Sequence, residues 1–287
     1  MLELNLLGTP EVRIDGIPPD DSLFAKDLAL LYYLAATGQP QPRTSLAVLL
    51  WGDLSDAASR GNLRKALSTL RQTFDPWIST ERELVSLATD QVRCDVHTFE
   101  QQAQAGLSAG NMAQLQAAIA LYRGDFLSGF VVRNAPDYDL WLYQTQERLR
   151  GVAVRVLEEL TQVHRQKDDA AAASHCLQHI LTLEPWREEA HRQLMAVLAS
   201  AGQRSAALHQ YAACVDSLAA ELGVEPGSET RDLYQRIRDG RFTAVRSTPP
   251  ATAFAPAPAP RPHLPAELTP IVAVSYTHLR AHETVLD

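Results

Sequence analysis

This 287-residue chain contains few cysteines and no long hydrophobic run. The three cysteines, Cys94, Cys176 and Cys214, are too few and too scattered for a disulfide framework, which favours free thiols in a reducing cytoplasm. No apolar run reaches the roughly 18 residues that a membrane span needs. The first residues also lack the basic region and cleavage site of a signal peptide. We therefore expect a cytoplasmic protein with no membrane partner.

Motifs of catalysis and of metal binding are missing as well. The chain has no phosphate-binding Gly-x-x-x-x-Gly-Lys-Ser/Thr loop, no Gly-x-Ser-x-Gly elbow and no His-Glu-x-x-His pair. Cys94 with His97, and His175 with Cys176 and His179, have metal-binding side chains, but zinc needs about four convergent ligands. We therefore predict no enzyme activity, no metal site and no cofactor.

Acidic residues are absent from one stretch, residues 57–74, although the chain as a whole carries a formal charge of −8. The overall charge argues against a protein that coats nucleic acid non-specifically, but it leaves room for a local basic patch. Within this stretch an apolar stripe recurs at helical spacing, and it consists of Leu63, Leu67, Leu70 and Phe74. The segment 55–74 is therefore predicted to form an amphipathic helix.

A cationic stripe lies on a neighbouring face of the same helix. Arg60, Arg64 and Arg71 fall within an arc of roughly 40° at ~100° per residue, with Ser68 at its margin and Lys65 beside it. In an isolated helix, such a cationic stripe is more often simply exposed to solvent. A helix anchored on one side and cationic on the other also suits the DNA major groove.

The elements around this helix favour the DNA interpretation. Alternating residues predict two short strands, helical spacing predicts two helices before residue 55, and a strand–turn–strand pattern follows it. The predicted strands cover 2–7 and 11–14, the two helices 24–37 and 43–51, and the hairpin 84–87 with 92–96. Sheet, three helices and hairpin together predict a winged helix-turn-helix over residues 1–96.

Further side chains are candidates for DNA contact. Arg43 and Thr44 begin the second helix and Lys26 lies near the start of the first, where phosphates commonly bind. Arg93 on the predicted wing is a candidate for the minor groove. Ordinary solvation of helix ends is the alternative for each. The predicted DNA-binding set is Arg60, Arg64, Lys65, Ser68, Arg71, Arg43, Thr44, Lys26 and Arg93.

The second half of the chain reads as consecutive amphipathic helices. Two similar joints, Leu183-Glu184-Pro185 and Val224-Glu225-Pro226, indicate stacked helix pairs, which leave a concave groove for partners. The predicted helices cover 98–105, 112–122, 138–167, 170–183, 186–201, 205–222 and 229–239. We therefore predict a fold that is mainly α with a small β component, in which a TPR-like all-α repeat domain over 97–242 follows the winged helix.

The composition changes after residue 242. Residues 243–273 are predicted to be a Pro/Ala-rich linker followed by the start of a missing downstream module. The final string, VSYTHLRAHETVLD at 274–287, resembles translated sequencing-adaptor read-through. We predict that this tail is not native.

Several ordered segments resemble the antibiotic-regulatory-protein type of bacterial transcriptional activator. That family joins an OmpR-like winged helix to a bacterial transcriptional activator domain. The segments include LLGTPEVRIDG at 6–16, LALLYYLAATGQPQPR at 28–43, LAVLLWGD at 46–53, NLRKALSTLR at 62–71, AIALYRGDFLSGF at 118–130, ERLR at 147–150, EPWREEAHRQLMAVLASAGQRSAALHQY at 184–211 and LAAELGVEPGSETRDLYQRIRDG at 218–240.

This resemblance implies a sequence-specific activator that binds direct repeats in promoter DNA as a homodimer and recruits RNA polymerase. The cationic stripe falls on the family's recognition helix. Asp75-Pro76-Trp77 departs from the longer, more basic loop expected after that helix, which puts polymerase contacts from that loop in doubt. Two alternatives stay open: a protein-interaction scaffold that uses the helical groove, and the N-terminal part of a signal-transducing ATPase regulator.

Overall fold

The computed structural model describes residues 1–19, 23–88 and 91–242. The linker predicted at 243–273 and the non-native tail predicted at 274–287 lie outside these residues. In the described ranges the chain is mainly helical with two small sheets, so the predicted fold class is confirmed. Strands are β1 Leu2–Asn5, β2 Glu11–Ile14, β3 Gln41–Pro42, β4 Ile78–Glu81, β5 Leu84–Leu87 and β6 Val92–Cys94. Helices are α1 Ala25–Thr37, α2 Arg43–Trp51, α3 Asp56–Phe74, α4 Asp95–Ala109, α5 Met112–Leu121, α6 Pro136–Gln166, α7 Ala170–Leu183, α8 Glu188–Ser200, α9 Arg204–Glu221 and α10 Ser228–Arg238.

The first sheet has the strand order β2-β1-β6. The β1 and β2 strands pair antiparallel, as the alternating pattern predicts, with Leu2 opposite Ile14. Strand β6 pairs with the other edge of β1 in parallel, with Leu2 opposite Val92. Leu2 and Leu4 are fully buried, so the sheet covers one side of the N-terminal core.

Helices α2 and α3 form the helix-turn-helix. α2 begins directly after Pro42 and ends at Trp51, and α3 begins after Ser55, which has extended backbone angles. The hydroxyl of the buried Ser59 donates to the carbonyl oxygen of Trp51 at 2.7 Å. This bond links the first turn of α3 to the last residue of α2, so it fixes the angle of the motif.

The predicted wing hairpin is wrong. The segments at 84–87 and 92–96 do not pair with each other: β5 pairs antiparallel with β4, and β6 joins the first sheet. The wing is the β4–β5 hairpin, extended by β3 into a sheet of order β3-β5-β4. Its turn contains Arg82 in the left-handed region, at φ 52°. No glycine marks this turn, which is why the sequence pattern misses it.

The helices from α4 onward form the predicted array. α4 packs on α5, α6 on α7 and α8 on α9, and α10 closes the end against α8 and α9. Gly110 ends α4 in the left-handed conformation, while Asn111 accepts hydrogen bonds from the first turn of α5. Among the described helices, none combines the length and apolar character that a membrane crossing requires.

A backbone ladder joins the N-terminal part to the array. Leu7 and Phe126 form an antiparallel bridge, the Leu127 amide donates to the Leu6 carbonyl at 2.8 Å, and the Gly8 amide donates to the Asp125 carbonyl at 3.1 Å. One hydrophobic cluster runs through both parts. The described residues up to 242 consequently belong to a single compact unit, and the division at residue 96 stays a prediction.

A buried carboxylate reinforces the ladder. Asp95, the first residue of α4, is 5% exposed. Its two oxygens accept the amides of Leu6 at 2.8 Å and Leu7 at 3.0 Å, and Arg123 reaches it at 3.2 Å. Burial raises the pKa of Asp95, while the three donors act in the opposite direction. The group therefore connects α4, the N-terminal strand and the α5–α6 segment.

Candidate nucleic-acid interface

Helix α3 presents a polar face to solvent and buries the opposite face. Its buried side chains include the whole predicted apolar stripe, namely Leu63, Leu67, Leu70 and Phe74. No acidic side chain follows Asp56 within the 19 residues of the helix. The exposed face therefore keeps its positive charge, and a packed core fixes its direction.

Four of the predicted contact residues lie together on this face. Arg60, Arg64, Lys65 and Ser68 are exposed, and within the described part of the chain their side chains make no hydrogen bond or ion pair. Arginine can form two hydrogen bonds with guanine, and serine can bond with a base edge or a phosphate. These donors are positioned for an external ligand.

Arg71 differs from the other arginines of the stripe. It is half-buried, and its guanidinium donates to the hydroxyl of Thr80 on β4. Its Nε is buried and has no partner among the described residues. Arg71 thus ties the end of α3 to the wing, and the outward arc narrows to Arg60 and Arg64.

The start of α2 lies beside the wing. Thr44 is exposed and Arg43 is half-buried, and the Arg43 amide donates to the carbonyl of Glu83 at 2.8 Å. Arg82, in the turn of the true wing, is exposed and is a residue that sequence reasoning missed. Its neighbours Glu81 and Glu83 are acidic, which lowers the local positive charge.

Lys26 is half-buried, and its ammonium group is engaged within the protein. Its ammonium donates to the carbonyl of Leu50 and to that of Asn134, the latter at 2.9 Å, and it lies over the ring of Trp51. Burial lowers the pKa of Lys26. We assign this side chain to the junction of the two parts rather than to a phosphate, although its charge still adds to the local field.

The prediction for Arg93 is wrong in its structural basis. Arg93 lies on β6 in the first sheet, 3.6 Å from the carboxylate of Glu3, and not on the wing. Its predicted entry into the minor groove depended on the incorrect hairpin. We therefore remove Arg93 from the candidate interface.

Comparison with known proteins places this geometry in context. Residues 94–238 match the family described as "Bacterial transcriptional activator domain". Over 257 residues the chain is 26% identical to the transcriptional regulatory protein EmbR of Mycobacterium tuberculosis, a match that covers 82% of this chain and 63% of that protein. It is also 29% identical over 230 residues to the regulatory protein AfsR of Streptomyces coelicolor, covering 70% of this chain and 22% of AfsR.

A solved structure has a similar fold. The structure titled "Mycobacterium tuberculosis EmbR in complex with low affinity phosphopeptide" aligns with a TM-score of 0.62 at 24% identity, covering 84% of this chain and 66% of that chain. These relatives are named as regulatory proteins, in agreement with the prediction of no enzyme activity. The chain spans about three-fifths of the length of EmbR and a smaller share of AfsR.

Proposed function

Because the chain belongs to the family of proteins with a bacterial transcriptional activator domain, we propose that it is a sequence-specific DNA-binding activator of transcription. The winged helix binds promoter DNA in the cytoplasm and α3 enters the major groove. The names of its relatives, which are transcriptional regulatory proteins, support this assignment. Three buried free cysteines, Cys94, Cys176 and Cys214, agree with a reducing compartment.

One observation carries the proposal: the exposed, unpaired cationic face of α3. Arg60 and Arg64 lie one turn apart and point away from the core, and Lys65 and Ser68 flank them. The helix-turn-helix bond from Ser59 holds this face at a fixed angle. In such motifs the second helix occupies the major groove and its outward side chains meet base edges and phosphates.

The resemblance to the antibiotic-regulatory-protein type of activator supports a more detailed proposal. We propose that the chain binds direct repeats as a homodimer on DNA and that it recruits RNA polymerase. Footprinting of a selected site tests the first part, because two copies should protect two half-sites whose centres are separated by one or more turns of the DNA helix. Transcription in vitro from that site, with and without the protein, tests the second part.

Selection from a random pool of DNA duplexes tests the DNA-binding function itself. The full chain is expected to enrich one motif at modest salt. On the enriched duplex, Arg64→Ala should weaken binding by about 1–3 kcal/mol if Arg64 reads a base, which corresponds to roughly five- to 150-fold in Kd. Arg155→Ala is the matched control, since Arg155 is exposed on α6 and is expected to leave Kd unchanged.

One result would contradict the proposed function, and another would contradict the role of Arg64. The absence of any enriched motif would favour the alternative of a protein-interaction scaffold, in which the helical array binds the partner. If the Arg64→Ala variant binds the cognate duplex as tightly as the wild type does, and the scrambled duplex likewise, Arg64 does not contact a base.

A further inference from the structure

A groove runs along one side of α3, between that helix and the loop that precedes α6. Its volume is about 840 Å³. One wall is α3, the floor includes the first turn of α1 and Trp51, and the other wall is the segment at 131–133 of the second half. The polar and charged lining includes Lys26, Asn62, Lys65, Thr69 and Arg133.

Three basic side chains and one acidic side chain line the groove among the described residues. Lys65 and Arg133 are exposed and have no ion-pair partner in the described part of the chain. The acidic side chain at the groove, Asp27, is 5% exposed and accepts a hydrogen bond from the Phe24 amide at 3.3 Å. A chain with a net charge of −8 thus carries two unpaired cations, one from α3 and one from the second half, in the lining of one groove.

The groove borders the helix that is proposed to enter the major groove. When a helix occupies the major groove, a sugar-phosphate backbone runs along each of its sides. Lys65 lies about 100° around α3 from Arg64, so a helix that directs Arg64 at the bases directs Lys65 sideways. Asn62 and Thr69 continue that side. Amide, hydroxyl and ammonium donors are the side chains that commonly bind phosphate.

The second half brings Arg133 to the same groove as α3. Lys26 binds the carbonyl of Asn134, one residue further on, and Tyr32 of α1 packs edge-on against Phe130 with ring centroids 5.1 Å apart. The loop is therefore fastened to the winged helix on both sides of Arg133. Less conformational entropy is lost on binding when the side chain starts from a fixed backbone.

We propose that a DNA phosphate backbone occupies this groove and that Arg133, from the second half of the chain, is a DNA contact. The inference rests on the proposed DNA-binding function and extends it beyond the winged helix. Phe24 and Val131 expose apolar surface at the groove, which can pack against deoxyribose carbons. An apolar rim also suits a peptide, and the experiment below separates the two ligands.

The experiment measures Kd of the full chain for the selected duplex between about 50 and 200 mM NaCl. Loss of one phosphate contact makes the negative slope of log K against log salt shallower by about 0.9. Between about 50 and 200 mM NaCl the affinity of the wild type should therefore fall by a factor about 3.5 times larger than the factor for Arg133→Ala. Arg133→Lys should restore the slope, because lysine also neutralises a phosphate. The preference for cognate over scrambled DNA should stay unchanged, since a phosphate contact carries no sequence information.

Arg155→Ala is again the control, because its position is about 28 Å along α6 from the first residue of that helix. An Arg133→Ala variant with the salt slope and Kd of the control would overturn the inference and leave the groove to a protein ligand. That result differs from failure of the proposed function, in which the wild type itself selects no DNA motif. Circular dichroism of each variant checks that the fold is retained.

Discussion

Replacement of Asp95 by alanine tests the junction between the winged helix and the helical array. The change removes both acceptors of the Leu6 and Leu7 amides, and both of those residues are fully buried. A buried donor without a partner costs about 1–3 kcal/mol, so two of them cost about 2–6 kcal/mol. For a body of this size 1 kcal/mol shifts Tm by about 2–4 °C. We therefore expect Tm to fall by roughly 4–24 °C in differential scanning calorimetry.

Arg123→Ala is the control for this prediction. Arg123 also contacts Asp95, but its own side chain is 44% exposed and its removal leaves the Leu6 and Leu7 amides with their acceptors, so the change should cost less than Asp95→Ala. Asp95→Asn should stay strongly destabilised, because an amide nitrogen cannot accept a hydrogen bond from a backbone amide. The reasoning is refuted if Asp95→Ala unfolds within 2 °C of the wild type, roughly the shift expected from 1 kcal/mol or less, or if Arg123→Ala is equally destabilising.

Three other predictions follow from single side chains. Burial lowers the pKa of His191, so on acidification the imidazole is protonated in the unfolded chain before it is protonated in the folded one. The free energy of unfolding should therefore fall between pH 7.5 and 5.5, by at most about 1.4 kcal/mol per pH unit for this group. Urea titrations should show a weaker pH dependence of that free energy in His191→Gln, and the same dependence as in the wild type would contradict the assignment. Gly38→Ala should destabilise the protein more than Gly110→Ala. Both glycines have a positive φ, but only a Cβ at Gly38 would lie 2.9 Å from Nε2 of His97. Equal urea midpoints of the two variants would show that this close approach has no energetic cost. Burial raises the pKa of Cys94 to about 12, so this thiol should react with a disulfide reagent at pH 8 only after unfolding, and fast labelling of the native chain would disprove its protection.

The helices were predictable because their periodicity is local. All ten α-helices of the described residues overlap the predicted ones, although α4 is 15 residues long where the spacing predicts a helix over 98–105 only. The recognition-type helix is the clearest case: its buried stripe, Leu63 to Phe74, is readable from spacing alone. Residue type and position along a helix are sufficient for this level of structure.

The pairing of the wing strands and the contacts of Arg71 and Lys26 depend on residues that are distant in sequence. β6 pairs in parallel with β1, and no local pattern specifies such a partner. Arg71 is occupied by Thr80, and Lys26 by the carbonyl of Asn134. Helical spacing places these side chains on a face but does not reveal what that face meets. The proposed contact Arg133 is not predicted from the sequence for the same reason, because it lies in a loop of the second half.

The backbone ladder between residues 6–8 and 125–128 bears on the engineering of chimeric regulators. A fusion of residues 1–96 to a foreign helical domain would remove the acceptor that the Gly8 amide uses and the donor that the Leu6 carbonyl uses. It would also uncover the fully buried Leu6 and Leu7. The part to be transplanted is therefore discontinuous, because the winged helix also needs the segment from Arg123 to Asn134. The proposed DNA specificity is better exchanged by replacing the outward residues of α3 than by cutting the chain.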